Sequence, residues 1–569
     1  MTRIAIDPIT RIEGHLRIEV EIEGGVVKDA WSSGTMFRGM ELILKGRDPR
    51  DAWVFAQRAC GVCTTVHALA SVRSVESALG ITIPRNARLI RNLIAGIQYV
   101  QDHVIHFYHL HALDWVDVVS ALSADPKKTA ELAASISDWP TSSEAHYTAV
   151  QGKLKTFVES GQLGPFANGY WGHPAYKLPA EANLMAVGHY LEALDWQRDV
   201  IRVHALLGGK NPHPQSYVVG GMAVGLDPNS PTALNARHLS EIAGLFAKAK
   251  DFVDRVYIPD VLAVAGFYKD WAGIGAGIGN YMAYGDFPED ETGDPRGFYF
   301  PRGRILNRDL ATVHAVDHTG VAESVAHSWY GYPDGDGTLK HPWDGETNPK
   351  YAGPTPPFDT MEGHDKYSWL KAPRYEDQPM EVGPLARMLV AYSSGHQDVQ
   401  GAVNGVLGAL GVGPEALFST LGRIAARAIE TQLLAAKLPG WLAELEANLK
   451  TGDLAIADVT MWDPASWPSE ARGWGMEEAP RGALGHWVVI KDRKIENYQL
   501  VVPSTWNGSP RDEQGRRGAW EEALIGTPVA DPTQPVEILR TIHSFDPCMA
   551  CAVHVFDPAG GSSVEIRVV

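Results

Sequence analysis

The stretch Arg58-Ala59-Cys60-Gly61-Val62-Cys63-Thr64-Thr65-Val66-His67 contains two of the four cysteines in this 569-residue chain. The other two lie near the opposite end, in Asp546-Pro547-Cys548-Met549-Ala550-Cys551-Ala552-Val553-His554. Two thiolates three residues apart can hold one metal ion from a single turn and leave two coordination positions open. Two such turns brought together would form a four-thiolate site, which suits soft transition metals. The spacing therefore predicts one metal centre made by both ends of the chain.

The histidines that follow the two cysteine pairs favour a catalytic centre over simpler alternatives. His67 and His554 stand at similar positions after their pairs. A structural zinc site usually gathers its pairs within ~15–20 residues, and a thioredoxin-like redox pair needs a compact βαβ setting. Neither condition is met here. We therefore predict a redox metalloenzyme subunit, with structural zinc and two unrelated redox pairs as the alternatives.

Composition excludes several classes of protein. Hydrophobic residues make up 45% and charged residues 21%, and 68 acidic against 50 basic side chains give a formal net charge of -18. This negative charge repels a phosphate backbone, so nucleic-acid binding is not expected. No window reaches the ~18 apolar residues of a membrane span, and the first residues lack the apolar stretch of a signal peptide. We expect the chain to stay in the cytoplasm unless a partner carries it out.

Apolar periodicity predicts a helix-dominated fold. Alternation from Leu16 to Glu23, followed by Gly24-Gly25 and Val26-Val27, predicts a β-hairpin within residues 1–30. Spacing of three or four residues predicts a helix over about 85–122, on the following apolar positions: Leu89, Leu93, Ile97, Val100, Val104 and Phe107. Further helices are predicted near 181–207, 230–256 and 382–446.

Residues 284–375 differ in composition from the rest of the chain. Pro, Gly, Asp and aromatic residues crowd this stretch, which predicts short strands and long loops on the surface. A second strand pair is predicted at 487–490 and 498–502. The expected fold class is mixed α/β, with a central bundle of long helices, at about 85–260 and 382–446, and small peripheral sheets. A C-terminal metal-binding segment would span 478–554.

Both cysteine motifs resemble the signatures of nickel–iron hydrogenase large subunits, and the resemblance spans nearly the whole chain. It extends to four further stretches: Asp7-Pro8-Ile9-Thr10-Arg11-Ile12-Glu13-Gly14-His15, Phe37-Arg38-Gly39-Met40-Glu41, Gly208-Gly209-Lys210-Asn211-Pro212-His213-Pro214 and Val502-Pro503-Ser504-Thr505-Trp506-Asn507. It implies the large-subunit fold of that family, with residues 1–554 as one intertwined body.

The resemblance also assigns the metal ligands. It implies that Cys60, Cys63, Cys548 and Cys551 bind nickel. It further implies that Cys63 and Cys551 bridge to an iron that carries two cyanides and one carbon monoxide. The residues implied to surround these iron ligands are His67, Pro480, Arg481, Val502, Pro503 and Ser504. Buried anions such as cyanide need hydrogen-bond donors of this kind.

Catalytic roles follow from the same resemblance. Arg481 matches a guanidinium poised over the metals, and Asp102 and Asp546 match carboxylates that orient it. Glu13 matches the first proton relay from the terminal thiolate of Cys548. The reaction implied is the heterolytic and reversible cleavage of H2.

A magnesium site is implied near the C-terminus, with Glu41, the Leu500 carbonyl and His554 as ligands. Four clustered histidines allow a different metal hypothesis, since three of them share helical spacing. We expect instead that they line the bundle interior or the proton and subunit contacts; they are His103, His106, His109 and His111.

All four cysteines are assigned to the nickel–iron centre, so no iron–sulfur cluster is expected in this chain. The resemblance implies a cluster-bearing small subunit in a heterodimer (possibly a dimer of heterodimers), a membrane cytochrome b, and export to the periplasmic face of the membrane with the small subunit. Residues 555–569 resemble a tail that a maturation endopeptidase removes after nickel-insertion factors have acted. A plain terminal strand is the alternative, since Val564, Ile566 and Val568 alternate.

Three related kinds of subunit are alternatives to the uptake type. Hydrogen-sensing regulatory subunits typically lack the cleaved tail, and quinone-binding respiratory-complex subunits lack the cysteine pairs. A cytoplasmic cofactor-coupled hydrogenase is the nearest alternative. The long match over 37–52 and the tail favour a membrane-bound uptake hydrogenase, in which electrons pass to a quinone or cytochrome acceptor.

Overall fold

A computed structural model of the chain describes residues 2–167, 169–290, 293–353 and 365–552, but not the side chains of residues 551 and 552. The strands in these ranges are β1 (Thr2–Ile6), β2 (Leu16–Glu23), β3 (Val26–Gly34), β4 (Tyr217–Val218), β5 (Gly221–Met222), β6 (Tyr281–Ala283), β7 (Asp286–Pro288), β8 (Phe298–Phe300), β9 (Gly303–Ile305), β10 (Val321–Ser324), β11 (Ala372–Tyr375), β12 (Glu470–Ala479), β13 (Gly482–Lys491) and β14 (Lys494–Val501).

The α-helices of the same ranges are α1 (Met40–Leu44), α2 (Ala52–Ala56), α3 (Val66–Leu79), α4 (Arg85–Ile105), α5 (Pro126–Ile136), α6 (Glu144–Glu159), α7 (Ala180–Val200), α8 (Arg202–Gly208), α9 (Ala236–Phe252), α10 (Ile258–Phe267), α11 (Pro384–Ser393), α12 (Gln397–Leu410), α13 (Thr420–Lys450), α14 (Pro503–Asn507), α15 (Ala519–Leu524), α16 (Val536–His543) and α17 (Met549–Ala552). Helices therefore dominate the described part of the chain.

The predicted N-terminal hairpin is confirmed. β2 and β3 pair antiparallel, and the register of Glu23 with Val26 leaves Gly24 and Gly25 as the turn. Both glycines have positive φ angles of 61° and 76°, which residues with a Cβ rarely adopt. β1 pairs with β2 and completes a three-stranded sheet. It was not predicted, because five residues are too few to show a period.

The second predicted strand pair is also confirmed, as part of a larger sheet. β13 and β14 pair antiparallel, and β12 adds a third strand on the other side of β13. β12 packs on α3. The close approach depends on glycine, since a Cβ on Gly475 would lie 2.1 Å from the Ala70 carbonyl oxygen and one on Gly473 would lie 2.1 Å from that of Ser74.

The helix predictions place the long helices correctly and miss several ends. The predicted helix over 85–122 is shorter in the structure. α4 ends at Ile105, and a π-helical turn follows over His106–His111. The stretch predicted over 382–446 is three helices, interrupted at Gly395 and Gly411, whose φ angles are 84° and 64°. Four longer helices were not predicted, namely α3, α5, α6 and α10, and neither were the short helices α1, α2, α14, α15, α16 and α17.

Long helices form the centre of the fold. α4 packs against α13 and α7, and α13 packs against α9. At Gly96 of α4 a Cβ would lie 2.8 Å from the Leu438 side chain of α13, so the two helices are close there. All six apolar positions that predicted α4 are buried. With its small two- and three-stranded sheets, the structure confirms the predicted mixed, helix-dominated class.

The region between residues 284 and 375 contains short strands and long connections, as predicted, but it is not only a surface layer. Trp329 and Tyr367 are buried against each other, and Val325 packs with Tyr330. Aromatic side chains bury large areas, so they make small cores of their own under the loops.

Within the described ranges, none of the helices has the combination of length and apolar character needed to cross a bilayer.

The contact between β12 and α3 yields a stability prediction. Gly475→Ala should lower the free energy of unfolding by about 1–3 kcal/mol, because the new methyl group overlaps the α3 backbone and forces the strand away. The apparent melting temperature of the purified protein, followed by circular dichroism, measures the effect. Gly244→Ala in α9 is the matched control. It has open space around its Cβ and should raise stability by up to ~1 kcal/mol. A Gly475→Ala protein as stable as the wild type would contradict the proposed packing.

Candidate metal centre

Three cysteine sulfurs from the two ends of the chain meet in the interior. Cys60, Cys63 and Cys548 are buried, and their sulfur atoms all lie within 4.8 Å of one another. The sulfurs of Cys60 and Cys548 are 3.4 Å apart. The side chain of Cys551 and all of His554 lie outside the described residues. In the part of the chain that is described, this is the one group with metal-ligand geometry, and thiolates of this kind suit nickel, zinc or iron.

The first cysteine turn is held by contacts from three separate segments. The Cys63 N–H donates to the Cys60 sulfur at 3.3 Å, which closes the turn. Gln98 of α4 donates to the Val62 carbonyl at 3.0 Å, and the His213 ring bonds the Cys60 carbonyl at 3.0 Å. Hydrogen bonds to its backbone therefore fix the shape of this turn.

Arg38 connects the two cysteine segments directly. Its guanidinium donates to the carbonyls of Arg58 at 2.9 Å and Ala59 at 2.6 Å, just before the first pair. It also donates to the Ala550 carbonyl at 3.3 Å, inside the second pair. Arg38 and His213 were not selected as site residues from the sequence, although both lie in stretches that carry the resemblance.

The second cysteine segment is fixed by Ser504 and Glu13. The Cys548 N–H donates to the Ser504 hydroxyl oxygen at 2.9 Å. The Glu13 carboxylate accepts from the Ala550 N–H at 2.7 Å and lies 3.4 Å from the Cys548 sulfur. Burial and the neighbouring Cys60 thiolate raise the pKa of Glu13 above its usual value. The predicted proton relay and the predicted terminal thiolate are thus in contact.

Arg481 stands at the tip of a hairpin, between two aspartates. Ala479 pairs with Gly482, so Pro480 and Arg481 form the two-residue turn between β12 and β13. Arg481 bonds Asp102 at 3.2 Å and forms an ion pair with Asp546 at 3.1 Å.

All three side chains of this group are buried. Burial disfavours the cation, but Asp546 and Asp102 outweigh it and raise the pKa of Arg481 well above its usual value. The pKa of Asp102 is raised to about 7, because burial and Asp546 together exceed the attraction of Arg481. Arg481 therefore stays charged inside the protein.

Arg387 of α11 holds the hairpin tip in place. It donates to the carbonyls of Ala479 at 2.9 Å and Pro480 at 2.8 Å. Its charge is balanced by Glu478 at 2.6 Å and Glu430 at 2.5 Å. Gln98, which braces the first cysteine turn, also donates to Asp102 at 2.6 Å. The position of Arg481 is thus set by contacts that no local sequence pattern reveals.

A small cavity lies between these groups. The residues around it are Cys63, Val66, His67, Ala479, Arg481, Leu484, Pro503, Ser504 and Cys548. Val502 lies beside it as the residue that precedes α14. The Arg481 Nε atom is buried without a hydrogen-bond acceptor among the described residues. The Ser504 oxygen accepts from Cys548, so its own hydrogen is available to another acceptor.

The donor set fits a metal with small anionic ligands. Sulfurs provide soft metal ligands, the unpaired Nε and the Ser504 hydroxyl offer donors, and Val66 and Leu484 form an apolar wall. His67 lines the same cavity, and its Nδ1 lies 3.0 Å from His486 Nε2. Burial lowers the pKa of His67 to about 4, which keeps the ring neutral near pH 7.

Two of the three predicted magnesium residues, Glu41 and Leu500, line a second polar cavity. They are neighbours, since Glu41 accepts a hydrogen bond from the Leu500 N–H at 3.0 Å. Lys371 lies 3.6 Å from Glu41 and 3.2 Å from Glu323. Burial raises the pKa of Glu323 to about 7, although Lys371 opposes the shift. Two carboxylates face one ammonium group here, which leaves negative charge for a cation.

The four clustered histidines do not form a metal site in the described structure. His103 pairs with Glu430 at 2.7 Å, and each of the other three bonds a backbone carbonyl. Those three are His106 with His543, His109 with Tyr190 and His111 with Arg540. Three of them, His103, His106 and His111, line the interior as expected, and His109 is partly buried.

Comparison with known proteins agrees with this geometry. A sequence model of the family described as nickel-dependent hydrogenase matches residues 38–554, and one described as HoxL-like matches residues 3–32. The uptake hydrogenase large subunit of Rhizobium leguminosarum bv. viciae is 53% identical over 100% of this chain and 97% of its own length. The hydrogenase-1 large chain of Escherichia coli K12 is 50% identical with the same coverage.

Solved structures give the same result. A nickel–iron–selenium hydrogenase variant from Desulfovibrio vulgaris Hildenborough is 38% identical, with a TM-score of 0.76 over 97% of this chain and 99% of that one. The enzyme from Desulfomicrobium baculatum is 36% identical, with a TM-score of 0.74 over 97% of this chain and 100% of that one. With buried cysteine sulfurs from both ends at its centre, the chain belongs to the nickel-dependent hydrogenase large-subunit family.

Proposed function

We propose that the chain is the catalytic subunit of a nickel–iron hydrogenase that works mainly in H2 uptake. The observation that carries the proposal is the meeting of three buried sulfurs beside a cavity with a fixed, charged arginine. Relatives about half identical over the full chain bear the name uptake hydrogenase, which supports the direction of the reaction.

The cysteines would hold the metals. Cys60, Cys63, Cys548 and Cys551 would bind nickel, and Cys63 and Cys551 would also bind an iron with cyanide and carbon monoxide ligands. When bound, this centre supplies the Lewis acidity and redox capacity for heterolytic cleavage of H2. Arg481 and Ser504 would donate to the cyanide nitrogens, with His67, Pro480, Val502 and Pro503 around them.

The protein groups provide charge stabilisation and a proton path. Arg481 places a permanent positive charge on the cavity, and Asp102 and Asp546 fix its orientation. Glu13 lies within 3.4 Å of the Cys548 sulfur and would take a proton from that atom. Its raised pKa matches this task, since a carboxyl group that titrates nearer neutrality can both accept and release a proton.

A magnesium ion would bind at Glu41, Leu500 and His554. Support comes from the polar cavity where Glu41 and Glu323 face a single lysine. The ion would connect this cavity with the last residues of the mature chain and so help to hold the second cysteine segment.

Partners and processing follow from the same proposal. Residues 1–554 would form one body, and residues 555–569, outside the described structure, would be removed by a maturation endopeptidase after nickel-insertion factors have acted. Electrons would leave through an iron–sulfur small subunit to a membrane cytochrome b. The heterodimer would reside at the periplasmic face of the membrane.

Metal content and intact mass test the centre and the processing. We expect the mature, partner-bound protein to contain about one nickel per large subunit by plasma mass spectrometry. We expect the mass of the large subunit to correspond to a chain that ends at His554. Zinc in place of nickel would refute the metal assignment, and a fully active chain with residues 555–569 attached would refute the processing.

Glu13→Gln tests the proton path. The amide keeps an oxygen for the Ala550 N–H but cannot accept a proton, so H2 oxidation should fall by ~10²-fold or more while nickel content stays at the wild-type level. Steady-state H2 oxidation and metal analysis of the same preparation measure both. Glu444→Gln, in a surface pair with Arg85, is the matched control and should be fully active. Wild-type turnover in Glu13→Gln would remove Glu13 from the path.

A further inference from the structure

The two segments that carry Glu13 and Cys548 lie side by side and run in the same direction. Glu13 and Cys548 form an isolated parallel bridge, in which the Met549 N–H donates to the Glu13 carbonyl at 2.7 Å. At Gly14, φ is 83° and a Cβ would lie 2.7 Å from the Ala550 nitrogen. The two backbones are therefore in direct contact at this end.

The buried carboxylate of Asp114 contacts the same two segments, a few residues before Glu13 in one and before Cys548 in the other. Asp114 accepts from Arg11 at 2.5 Å and from the His543 Nδ1 at 2.6 Å. The His543 Nε2 in turn bonds the Thr10 carbonyl at 2.8 Å. Arg11 and Thr10 belong to the Glu13 segment, and His543 to the Cys548 segment.

Asp114 is itself fixed to the end of the histidine-rich helical region. Arg11 donates to the Leu110 carbonyl at 2.6 Å, and Arg540 donates to the Asp114 carbonyl at 2.7 Å. The His106 ring bonds the His543 carbonyl at 2.6 Å. The carboxylate therefore ties both segments to one rigid part of the helix bundle.

The charge on Asp114 is well supported. Burial opposes ionisation, but Arg11 and His543, with a smaller contribution from His111, outweigh it and hold the pKa of Asp114 well below its usual range. Removing this negative charge would leave the largely buried Arg11 guanidinium without its described counter-charge. The segments would then separate or shift rather than keep an unpaired cation between them.

We propose that Asp114 is a positioning residue that sets the register between the Glu13 segment and the Cys548 segment. This inference rests on the proposed proton path from Cys548 to Glu13. Proton transfer needs hydrogen-bond reach, and a misplacement of ~1 Å can cost ~10²-fold in rate. Asp114 touches neither group. It acts through Arg11 and His543 on the distance between them.

Asp114→Asn in the complete, partner-bound enzyme is the first test. Asparagine keeps one acceptor oxygen but loses the charge that balances Arg11. We expect wild-type nickel content and unchanged cyanide and carbon monoxide infrared bands, with H2 oxidation reduced by ~10–10²-fold. We also expect faster amide hydrogen exchange in peptides that cover 545–552, because the N–H groups of Met549 and Ala550 lose their fixed acceptors on Glu13.

Two further variants make the test specific. His543→Gln keeps a donor towards Thr10 but loses the bond to Asp114, so it should show the same faster exchange and the same loss of rate. Asp512→Asn is the matched control. Asp512 is equally buried and pairs with Arg374 at 2.6 Å, a pair that the structure does not connect to the cysteines. It should leave exchange in 545–552 at the wild-type rate.

The outcomes separate this inference from the proposed function. Wild-type exchange and wild-type turnover in Asp114→Asn and His543→Gln would overturn the role of Asp114 even where Glu13→Gln is inactive. If Asp114→Asn does not assemble, the exchange rate and the turnover of His543→Gln test the inference in its place. If neither variant loads nickel, Asp114 has only a folding role and the inference is rejected. A fully active Glu13→Gln enzyme would refute the proton path instead. The amide exchange rates in 545–552 would then be the only test of whether Asp114 sets the register between the two segments.

Discussion

The contact on which the site depends is that between Cys60 and Cys548, whose sulfurs lie 3.4 Å apart although they belong to opposite ends of the chain. Thiol groups attract each other only weakly, so other contacts must hold them there. On one side Gln98 and His213 fix the first turn through its carbonyls. On the other side Glu13 and Ser504 fix the second segment through its amides. Backbone hydrogen bonds, rather than sulfur contacts, bring the two ends together.

Buried charge is the second feature of the site. Arg481 forms ion pairs with two aspartates and Arg387 forms ion pairs with two glutamates, and all of these side chains are buried. Buried ion pairs of this kind do little for net stability, because desolvation offsets their attraction. They do fix position, since each charge would be costly in any other place. Buried ion pairs therefore help to fix the hairpin tip that presents Arg481.

Regular spacing of apolar residues predicted some elements, and other elements that are just as deeply buried were missed. α4 and the hairpin of β2 and β3 show clear periods and were predicted. α3 was not predicted, although Val66, Leu69, Val72, Val75 and Leu79 recur every three or four residues. β12 contains two glycines and two buried glutamates, and this composition does not look like a strand. α3 and β12 pack on each other, and each explains the buried residues of the other although the two are remote in sequence.

By itself the sequence determined the metal-binding chemistry, through two cysteine pairs with fixed spacing, and the family, through motifs along the whole chain. It also determined the long helices and the first hairpin, because the spacing of apolar residues differs between helices and strands. Only the tertiary structure decided that Arg38 joins the two cysteine segments, that Arg387 supports Arg481, and that Asp114 connects the segments of Glu13 and Cys548. The physical reason is that such contacts join residues far apart in the chain. Their geometry follows from how whole elements pack, which no local pattern specifies.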